Sequence, residues 1–258
     1  MPLVYDRTGD GNPLILIHGL GSNRRVWDAP LGLLSRERDV IAVDLPGFGD
    51  SPELETVPTP AALADSVEEL ITELGLSKPA VAGNSLGGLI SLELARRGTV
   101  SSATALSPAG FALGWESRMA SASLSASRAA ATVLRPTLPA LASKPAGRML
   151  LAGQLVAHPS AVPADELLAA VEALISCPGF DATRKALFAY SWTYRGELAA
   201  PATVAWAAKD RLLLPRQARR AEAWIPGIRS ISLPDCGHVP CWDNPPLVAR
   251  AILEGTAV

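Results

Sequence analysis

A Gly-x-Ser-x-Gly pattern at residues 83–87 is the feature that most constrains how this chain can fold. Residues 79–82 before it are short, apolar and extended in character, and residues 86–97 after it have the periodicity of a helix. Ser85 is therefore predicted at a sharp turn between a buried strand and a helix. Glycines at the flanking positions let neighbouring backbone approach closely, because they carry no side chain. The pattern is typical of a nucleophile elbow, in which a strained serine holds its hydroxyl above the sheet.

Other glycine-rich loops fit the sequence less well. A phosphate-binding loop would end in Gly-Lys-Ser/Thr, which the chain lacks. A dinucleotide-binding loop would place three glycines at the first strand-to-helix crossover, whereas residues 18–21 supply two. A small-residue turn that packs a helix against a sheet stays open as the alternative to an elbow.

The composition provides enough apolar residues for a sizeable core. Of 258 residues, 48% are hydrophobic and 19% are charged, and the formal net charge is -2. This small charge, with no basic block, argues against binding to nucleic acid or to anionic membranes. No apolar run reaches the roughly 18 residues that a membrane span needs, and the first residues lack a signal-peptide pattern. Three cysteines give no disulfide framework, so we expect a cytoplasmic protein.

Strands and helices alternate along residues 1–110 and again along residues 196–258. Apolar segments predict strands at 3–5, 14–17, 40–43, 79–82, 103–106, 203–207 and 228–233. Amphipathic segments predict helices at 26–34, 61–74, 86–97, 216–224 and 246–253. Such alternation predicts an α/β fold with a mostly parallel central sheet and helices on both faces.

Residues 111–195 break this alternation. They contain no clear strand, and several prolines divide them into short predicted helices, of which the clearest covers 164–175. We predict that 111–195 form a helical cap inserted over the carboxyl edge of the sheet, while 1–110 and 196–258 form the core. The underside of the cap should be mainly apolar, with only a minority of its aromatic residues facing the site. One arginine turned inward would instead favour an acidic substrate.

A serine nucleophile needs a base, and histidine suits that task near neutral pH. Of the three histidines, His238 lies in the loop after the last predicted strand, whereas His158 lies in the cap and receives no catalytic role. Asp210 follows the penultimate strand and is the candidate acid that orients His238. Ser85, Asp210 and His238 each follow a strand at its carboxyl end, where open α/β sheets place their sites. We therefore predict that these three residues are catalytic.

Cys236, His238 and Cys241 could also be read as a metal site. Three ligands so close together are cramped, and the sequence offers no evident fourth ligand. We expect both cysteines to be packing residues beside His238. The sequence thus predicts neither a metal nor an organic cofactor.

Taken together, these motifs resemble the α/β-hydrolase superfamily over nearly all of the chain outside the predicted cap. The matching residues are His18-Gly19-Leu20-Gly21, Asp44-Leu45-Pro46-Gly47-Phe48-Gly49-Asp50-Ser51, Gly83-Asn84-Ser85-Leu86-Gly87-Gly88, Asp210 and Gly237-His238. The chain order of serine, acid and histidine is also that of the superfamily. The resemblance implies that Leu20 and Leu86 donate backbone N–H groups to an oxyanion, with their side chains lining the site wall. It further implies motif and positioning roles for His18, Gly19, Gly83, Asn84 and Gly87.

Departures from the superfamily pattern bear on both fold and function. The N-terminal hairpin is short, so we expect the sheet to lack the first strand of the fold. Asn84, directly before the serine, resembles the residue at that position in the carbon–carbon bond hydrolases that cleave ring-fission products. Those enzymes usually carry tryptophan directly after the histidine, where this chain has Val239. They also usually have a longer Gly/Pro-rich loop after the His-Gly pair, which is absent from this sequence.

We therefore expect a serine hydrolase that cleaves esters or thioesters of small, largely apolar acyl compounds through an acyl-enzyme. Its expected partner is a small-molecule substrate, with no nucleic acid and no membrane span. Two alternatives stay open: a carbon–carbon bond hydrolase, and a non-catalytic binding protein on the same fold. Turnover of a generic chromogenic ester separates the binding protein from the enzyme.

Overall fold

The computed structural model describes residues 2–257, and a seven-stranded sheet runs through its centre. The strands are β1 (Tyr5–Thr8), β2 (Asn12–Ile17), β3 (Arg38–Val43), β4 (Ala80–Asn84), β5 (Ser102–Leu106), β6 (Ala202–Ala207) and β7 (Arg229–Leu233). Their order across the sheet is β1-β3-β2-β4-β5-β6-β7, and only β1 runs antiparallel to its neighbour. The predicted mostly parallel α/β sheet is confirmed. Within residues 2–257, one antiparallel strand lies at the edge of the sheet. This agrees with the expectation that the sheet lacks the first strand of the superfamily fold.

Helices cover both faces of this sheet. In the described chain the α-helices are α1 (Asp28–Leu34), α2 (Pro60–Glu73), α3 (Leu86–Arg97), α4 (Trp115–Leu134), α5 (Leu138–Ala142), α6 (Pro145–Ala152), α7 (Ala164–Ser176), α8 (Phe180–Ala189), α9 (Gln217–Trp224), α10 (Pro240–Asp243) and α11 (Pro245–Gly255). Side chains of α2, α3 and α9 share one hydrophobic cluster with the sheet, and those of α1 and α11 share another. None of the helices in residues 2–257 combines the length and apolar character that a bilayer span requires.

Strand β2 shows why a continuous apolar run predicts a central strand. Ile15 and Ile17 pack into the cluster with α2 and α3, while Leu14 and Leu16 pack into the cluster on the opposite face. All four side chains are fully buried. Successive side chains of a strand point to opposite faces, so a strand covered on both sides must be apolar throughout.

Two elements differ from the predicted ones. The first strand covers Tyr5–Thr8 rather than 3–5, and because all four of its side chains are exposed, no burial pattern marks it. Backbone pairing with β3 holds it at the edge of the sheet. Residues 115–134 form one continuous helix, α4, rather than short pieces, because the first proline of this region, Pro136, follows the end of the helix.

The helices α4 to α8 lie in the chain between β5 and β6. Side chains of α4 to α7 form a hydrophobic cluster of their own. Before α8, Gly179 donates its N–H to the Gly47 carbonyl oxygen at 3.0 Å, and a Cβ added to Gly47 would lie 2.8 Å from the Gly179 Cα. The inserted helices thus touch the loop after β3 backbone to backbone. They fall within 111–195, whose status as a separate domain stays a prediction.

Candidate active site

The segment from β4 into α3 forms the predicted sharp turn, with Ser85 between strand and helix. Ser85 has φ 58° and ψ -112°, a conformation that residues other than glycine rarely adopt. A Cβ added to Gly83 would lie 2.3 Å from the Gly87 backbone, and one added to Gly87 would lie 2.1 Å from the Ile17 carbonyl oxygen. Side chains cannot fit at such distances, so both flanking positions require glycine.

His238 and Asp210 form a buried pair at the carboxyl ends of β7 and β6. The His238 Nδ1 lies 2.7 Å from the Asp210 Oδ2, and both residues are 3% exposed. The other carboxylate oxygen, Oδ1, accepts the backbone N–H groups of Leu212 and Leu213 at 2.9 and 2.8 Å. Because a carboxylate can only accept, the ring proton lies on Nδ1, and Nε2 is free to accept another proton.

Ser85 and His238 line the same cavity, which has a volume of about 420 Å³. No hydrogen bond joins their two side chains within residues 2–257. In enzymes without substrate such bonds are often long and tighten only when substrate binds. Ser85 and His238 therefore face one space that a substrate can enter, and Asp210 is bonded to the Nδ1 of His238 outside that space.

The two backbone N–H groups predicted to bind an oxyanion belong to Leu20 and Leu86. Leu86 is the first residue of α3, and the first N–H groups of a helix have no intrahelical partner. Gly19, directly before Leu20, lies against the serine, because a Cβ added there would be 3.2 Å from the Ser85 Cβ. The Leu20 side chain lines the cavity, as expected. The same expectation is wrong for Leu86, whose side chain packs into the hydrophobic core.

His18 is fully buried and connects two loops at this edge of the sheet. Its Nδ1–H donates to the Gly19 carbonyl oxygen at 2.7 Å, and its Nε2 accepts the Leu45 N–H at 2.9 Å. A ring that donates from one nitrogen and accepts at the other is neutral. Burial also lowers the pKa of His18 from its ordinary value, which favours the neutral ring. The ring thus ties residues 18–21 to residues 44–51.

Asn84 makes a contact that the sequence does not reveal. Its Nδ2 donates to the backbone carbonyl oxygens of Leu106 and His238, at 3.2 and 2.9 Å. Since both partners are carbonyls, the amide nitrogen must face them. The residue before Ser85 therefore holds the backbone of the histidine loop against the elbow.

Arg24, which no sequence motif marks, binds three carboxylates around the same edge. Its guanidinium pairs with Asp6 at 2.7 Å, with Asp50 at 2.9 Å, and with the fully buried Asp44. The backbone N–H of Arg24 also donates to Asp44, at 2.7 Å. These bonds fix the chain that follows residues 18–21 to β1 and to the loop after β3.

Asp243, at the end of α10, connects the histidine loop to the inserted helices. Its carboxylate accepts the backbone N–H of Gly237 at 2.7 Å and those of Ala157 and His158 at 2.9 Å. The Asp243 carboxylate therefore bridges the segment between α6 and α7 to Gly237, the residue directly before His238. No sequence pattern predicts this contact, because all of its donors are backbone groups.

Apolar side chains from the inserted helices build the far wall of the cavity. They include Leu124, Leu151, Leu167, Val171, Leu174 and Phe188. Of the aromatic residues described in 111–195, Phe188 alone lines the cavity. No Asp, Glu, Lys or Arg of residues 2–257 lines it, so none of the arginines in this region turns inward.

Cys236 and Cys241 are buried free thiols on either side of His238. Both belong to the hydrophobic cluster that α1 and α11 share with the sheet, as packing residues should. Burial raises the pKa of the Cys236 thiol to about 11, so the thiolate that a metal would need is disfavoured. Among residues 2–257, no group of His, Cys, Asp and Glu side chains is arranged to hold a metal ion.

Comparison with known proteins places these features in context. A model of the alpha/beta hydrolase family matches residues 14–251. An uncharacterized protein of Mycobacterium tuberculosis is 28% identical over 254 residues, which cover 92% of this chain and 73% of the relative. A pimeloyl-[acyl-carrier protein] methyl ester esterase of Legionella pneumophila is 35% identical over 95 residues, which cover 37% of this chain and 36% of that esterase. The structure of a thermophilic esterase from Thermogutta terrifontis superposes with a TM-score of 0.73 at 25% identity, covering 98% of this chain and 92% of that one.

Proposed function

Because this chain belongs to the alpha/beta hydrolase family, we propose that it is a serine hydrolase of carboxylic esters or thioesters with small, largely apolar acyl groups. Membership of this family identifies the protein as a hydrolase, while the serine mechanism and the ester substrate are our proposal. The observation that carries it is the buried Asp210–His238 pair, whose histidine lines one cavity with the strained Ser85. Serine hydrolysis needs this combination of a nucleophile that lines the substrate cavity and an oriented base.

In the proposed mechanism the Ser85 Oγ attacks the substrate carbonyl carbon while the His238 Nε2 takes the hydroxyl proton. Asp210 keeps the imidazole in the required tautomer and stabilises its positive form. The N–H groups of Leu20 and Leu86 stabilise the oxyanion. The imidazolium then gives its proton to the leaving alcohol or thiol, and an acyl-serine ester remains. Water, deprotonated by His238, attacks this ester and releases the acid, which restores the serine.

The cavity supports an apolar acyl group. We propose that α4 to α8 act as a cap, whose apolar side chains cover the reacting groups. Each methylene buried there should add up to about 0.8 kcal/mol to binding. Specificity should therefore rise with acyl chain length until the cavity is full, and fall beyond that length.

Two different observations disfavour the two alternatives. Ring-fission products are acids, and burying a carboxylate without a cationic partner is costly. Since no Lys or Arg of residues 2–257 lines the cavity, carbon–carbon bond hydrolysis of such acids is the weaker proposal. A binding protein would not need a serine and a histidine at one cavity with an aspartate bonded to the histidine, and this chain has all three.

The test is hydrolysis of p-nitrophenyl esters of increasing acyl length, compared with a dienoic ring-fission ketone. We expect kcat/KM to rise and then fall with length, the ketone to be much poorer, and Ser85→Ala to abolish turnover. Ser66→Ala is the matched control, because this buried serine on α2 donates to the Ala62 carbonyl and does not line the cavity. A ketone preferred by about a hundredfold, or near-normal ester turnover by Ser85→Ala, would contradict the proposal.

A further inference from the structure

Three polar residues interrupt the apolar wall of the cavity: Ser123, Ser127 and Gln154. The Gln154 Nε2 donates to the Ser123 Oγ, and the Ser127 Oγ donates to the Gln154 Oε1 at 3.5 Å. Ser123 and Ser127 lie one turn apart on α4, Gln154 lies just after α6, and all three line the cavity. We call these three residues the polar patch.

The polar patch keeps hydrogen-bond donors that the protein does not use. Two hydroxyls and one amide carry four donor hydrogens in total. Two of these hydrogens make the bonds within the patch, and the other two have no acceptor within residues 2–257, whichever way the Gln154 amide is turned. Ser125 on the same helix is different, because its hydroxyl donates to the Ser121 carbonyl oxygen at 3.0 Å.

The polar patch is also connected to the histidine loop. Leu155, the residue after Gln154, accepts the Val239 N–H at its carbonyl oxygen, at 2.8 Å. Val239 directly follows His238, and both line the cavity. A substrate whose ester bond lies between Ser85 and His238 therefore shares its cavity with the patch.

We propose that the polar patch is a subsite for one uncharged oxygen, of an ether, hydroxyl or carbonyl group, in the chain of the ester substrate. This inference rests on the proposed function of the same cavity. Neutral donors suit a neutral acceptor, and a carboxylate bound in this cavity would meet no Lys or Arg of the described chain in its lining.

A pure hydrocarbon chain would bind less well at this point. It would cover the two free donors and remove them from water without offering them an acceptor, which costs free energy. Sites that hydrogen-bond a substrate reject the analogue that lacks the bonding group, because their own polar groups are then unpaired. The protein therefore selects a chain that is apolar over most of its length and carries an oxygen opposite the patch.

The test uses matched pairs of esters in which one methylene of the acyl chain, or of the alcohol, is replaced by an ether oxygen at each position in turn. For at least one position, the wild type should hydrolyse the ether with a higher kcat/KM than its methylene partner. Ser123→Ala and Gln154→Leu should each lower this ether-to-methylene ratio about fivefold to tenfold. Both variants should still hydrolyse the hydrocarbon esters, and their melting temperatures are measured alongside to show that they fold.

Ser125→Ala is the matched control and should leave the ratio unchanged, because Ser125 does not line the cavity. The subsite is refuted, while ester hydrolysis stands, if no position favours the ether or if both patch variants keep the wild-type ratio. Failure of the proposed function looks different. In that case no ester is hydrolysed, or the Ser85→Ala variant still hydrolyses esters, and the subsite proposal is refuted together with the proposed function.

Discussion

Ser85 is held in a conformation that costs free energy, and three backbone hydrogen bonds keep it there. Its N–H donates to the Leu106 carbonyl oxygen at 2.9 Å, and its own carbonyl oxygen accepts the N–H groups of Leu89 and Ala109 at 3.0 Å. Such backbone strain costs on the order of 1–3 kcal/mol at a residue other than glycine. Because the bonds come from β5, the loop after it and α3, the surrounding structure fixes the serine before any substrate binds.

Asp210→Asn should reduce kcat by roughly four orders of magnitude, judged from the corresponding change in a serine protease. The Leu212 and Leu213 N–H groups face one side of the carboxylate, so the new amide oxygen must face them and the amide nitrogen must face His238. That nitrogen donates, which forces the ring proton onto Nε2. The ring can then no longer accept the serine proton, and kcat on the best p-nitrophenyl ester measures the loss.

Asp235→Asn is the matched control for this change. Asp235 is an exposed carboxylate in the same histidine loop and pairs with His158 and Lys209 on the surface. Surface pairs contribute little, so kcat should change less than about tenfold. A loss of similarly small size in Asp210→Asn would show that a different carboxylate orients His238.

At the residue scale, the sequence predicts which residues matter better than it predicts their contacts. Ser85, Asp210 and His238 can be identified because a motif marks the first and each follows a predicted strand. The Asn84 bond to the His238 backbone joins residues 154 positions apart, and no local pattern reports such a contact. The contacts of Asp243 cannot be predicted from the sequence either, because its carboxylate binds backbone groups that any residue would supply.

At the scale of elements, a buried carboxylate in the first turn of α4 anchors the inserted helices. Glu116 is 2% exposed, pairs with Arg216 and Arg220 at α9, and accepts the Leu113 N–H at 3.0 Å. The hydrogen bond from Arg220 is the main cause that lowers the pKa of Glu116 to about 2, from an ordinary value of 4.5. The folded protein therefore favours the charged carboxylate.

This anchor should make stability depend on pH in a defined direction. The folded protein holds the Glu116 proton more weakly than the unfolded chain does. The contribution of the charged Glu116 to the free energy of unfolding is therefore complete above about pH 4.5 and is lost as the pH falls toward 2. Glu116→Gln should lower the free energy of unfolding by up to about 3 kcal/mol near neutral pH, and by much less at about pH 3. Urea unfolding at both pH values measures the difference.

Glu254→Gln serves as the control, because Glu254 and its partner Arg229 are both about half exposed. It should change the free energy of unfolding by less than about 1 kcal/mol at either pH. The account of the anchor is contradicted if Glu116→Gln has the same effect at both pH values.

Elements with strong burial patterns are predictable, and elements without them are not. The central strands read as continuous apolar runs because both of their faces are covered. The prediction is wrong for β1, whose four exposed side chains leave only backbone pairing to define it. The prediction of short helices is also wrong for α4, which is continuous. Its Ala- and Ser-rich stretch has little contrast in hydropathy, so the sequence pattern does not show how far the helix extends.

At the scale of the whole molecule, the cavity lies between the edge of the sheet and the inserted helices. Composition predicts an apolar wall, but only the fold shows why the basic residues of 111–195 do not reach it. Arg128 donates to the carbonyl oxygens of Leu174 and Ile175, and Arg148 donates to that of Ser160. These two guanidinium groups bind backbone carbonyl oxygens of the inserted segment and do not line the cavity.

The central claim is that Ser85 is the nucleophile, and a covalent label tests it most directly. The wild-type protein is treated with a serine-directed phosphonate, and the adduct is located by mass spectrometry of peptides. We predict a single adduct, on Ser85, with ester hydrolysis lost in proportion to labelling and no adduct in Ser85→Ala. An adduct on another residue while Ser85 stays unmodified, or full labelling of Ser85 with hydrolysis retained, would contradict the account.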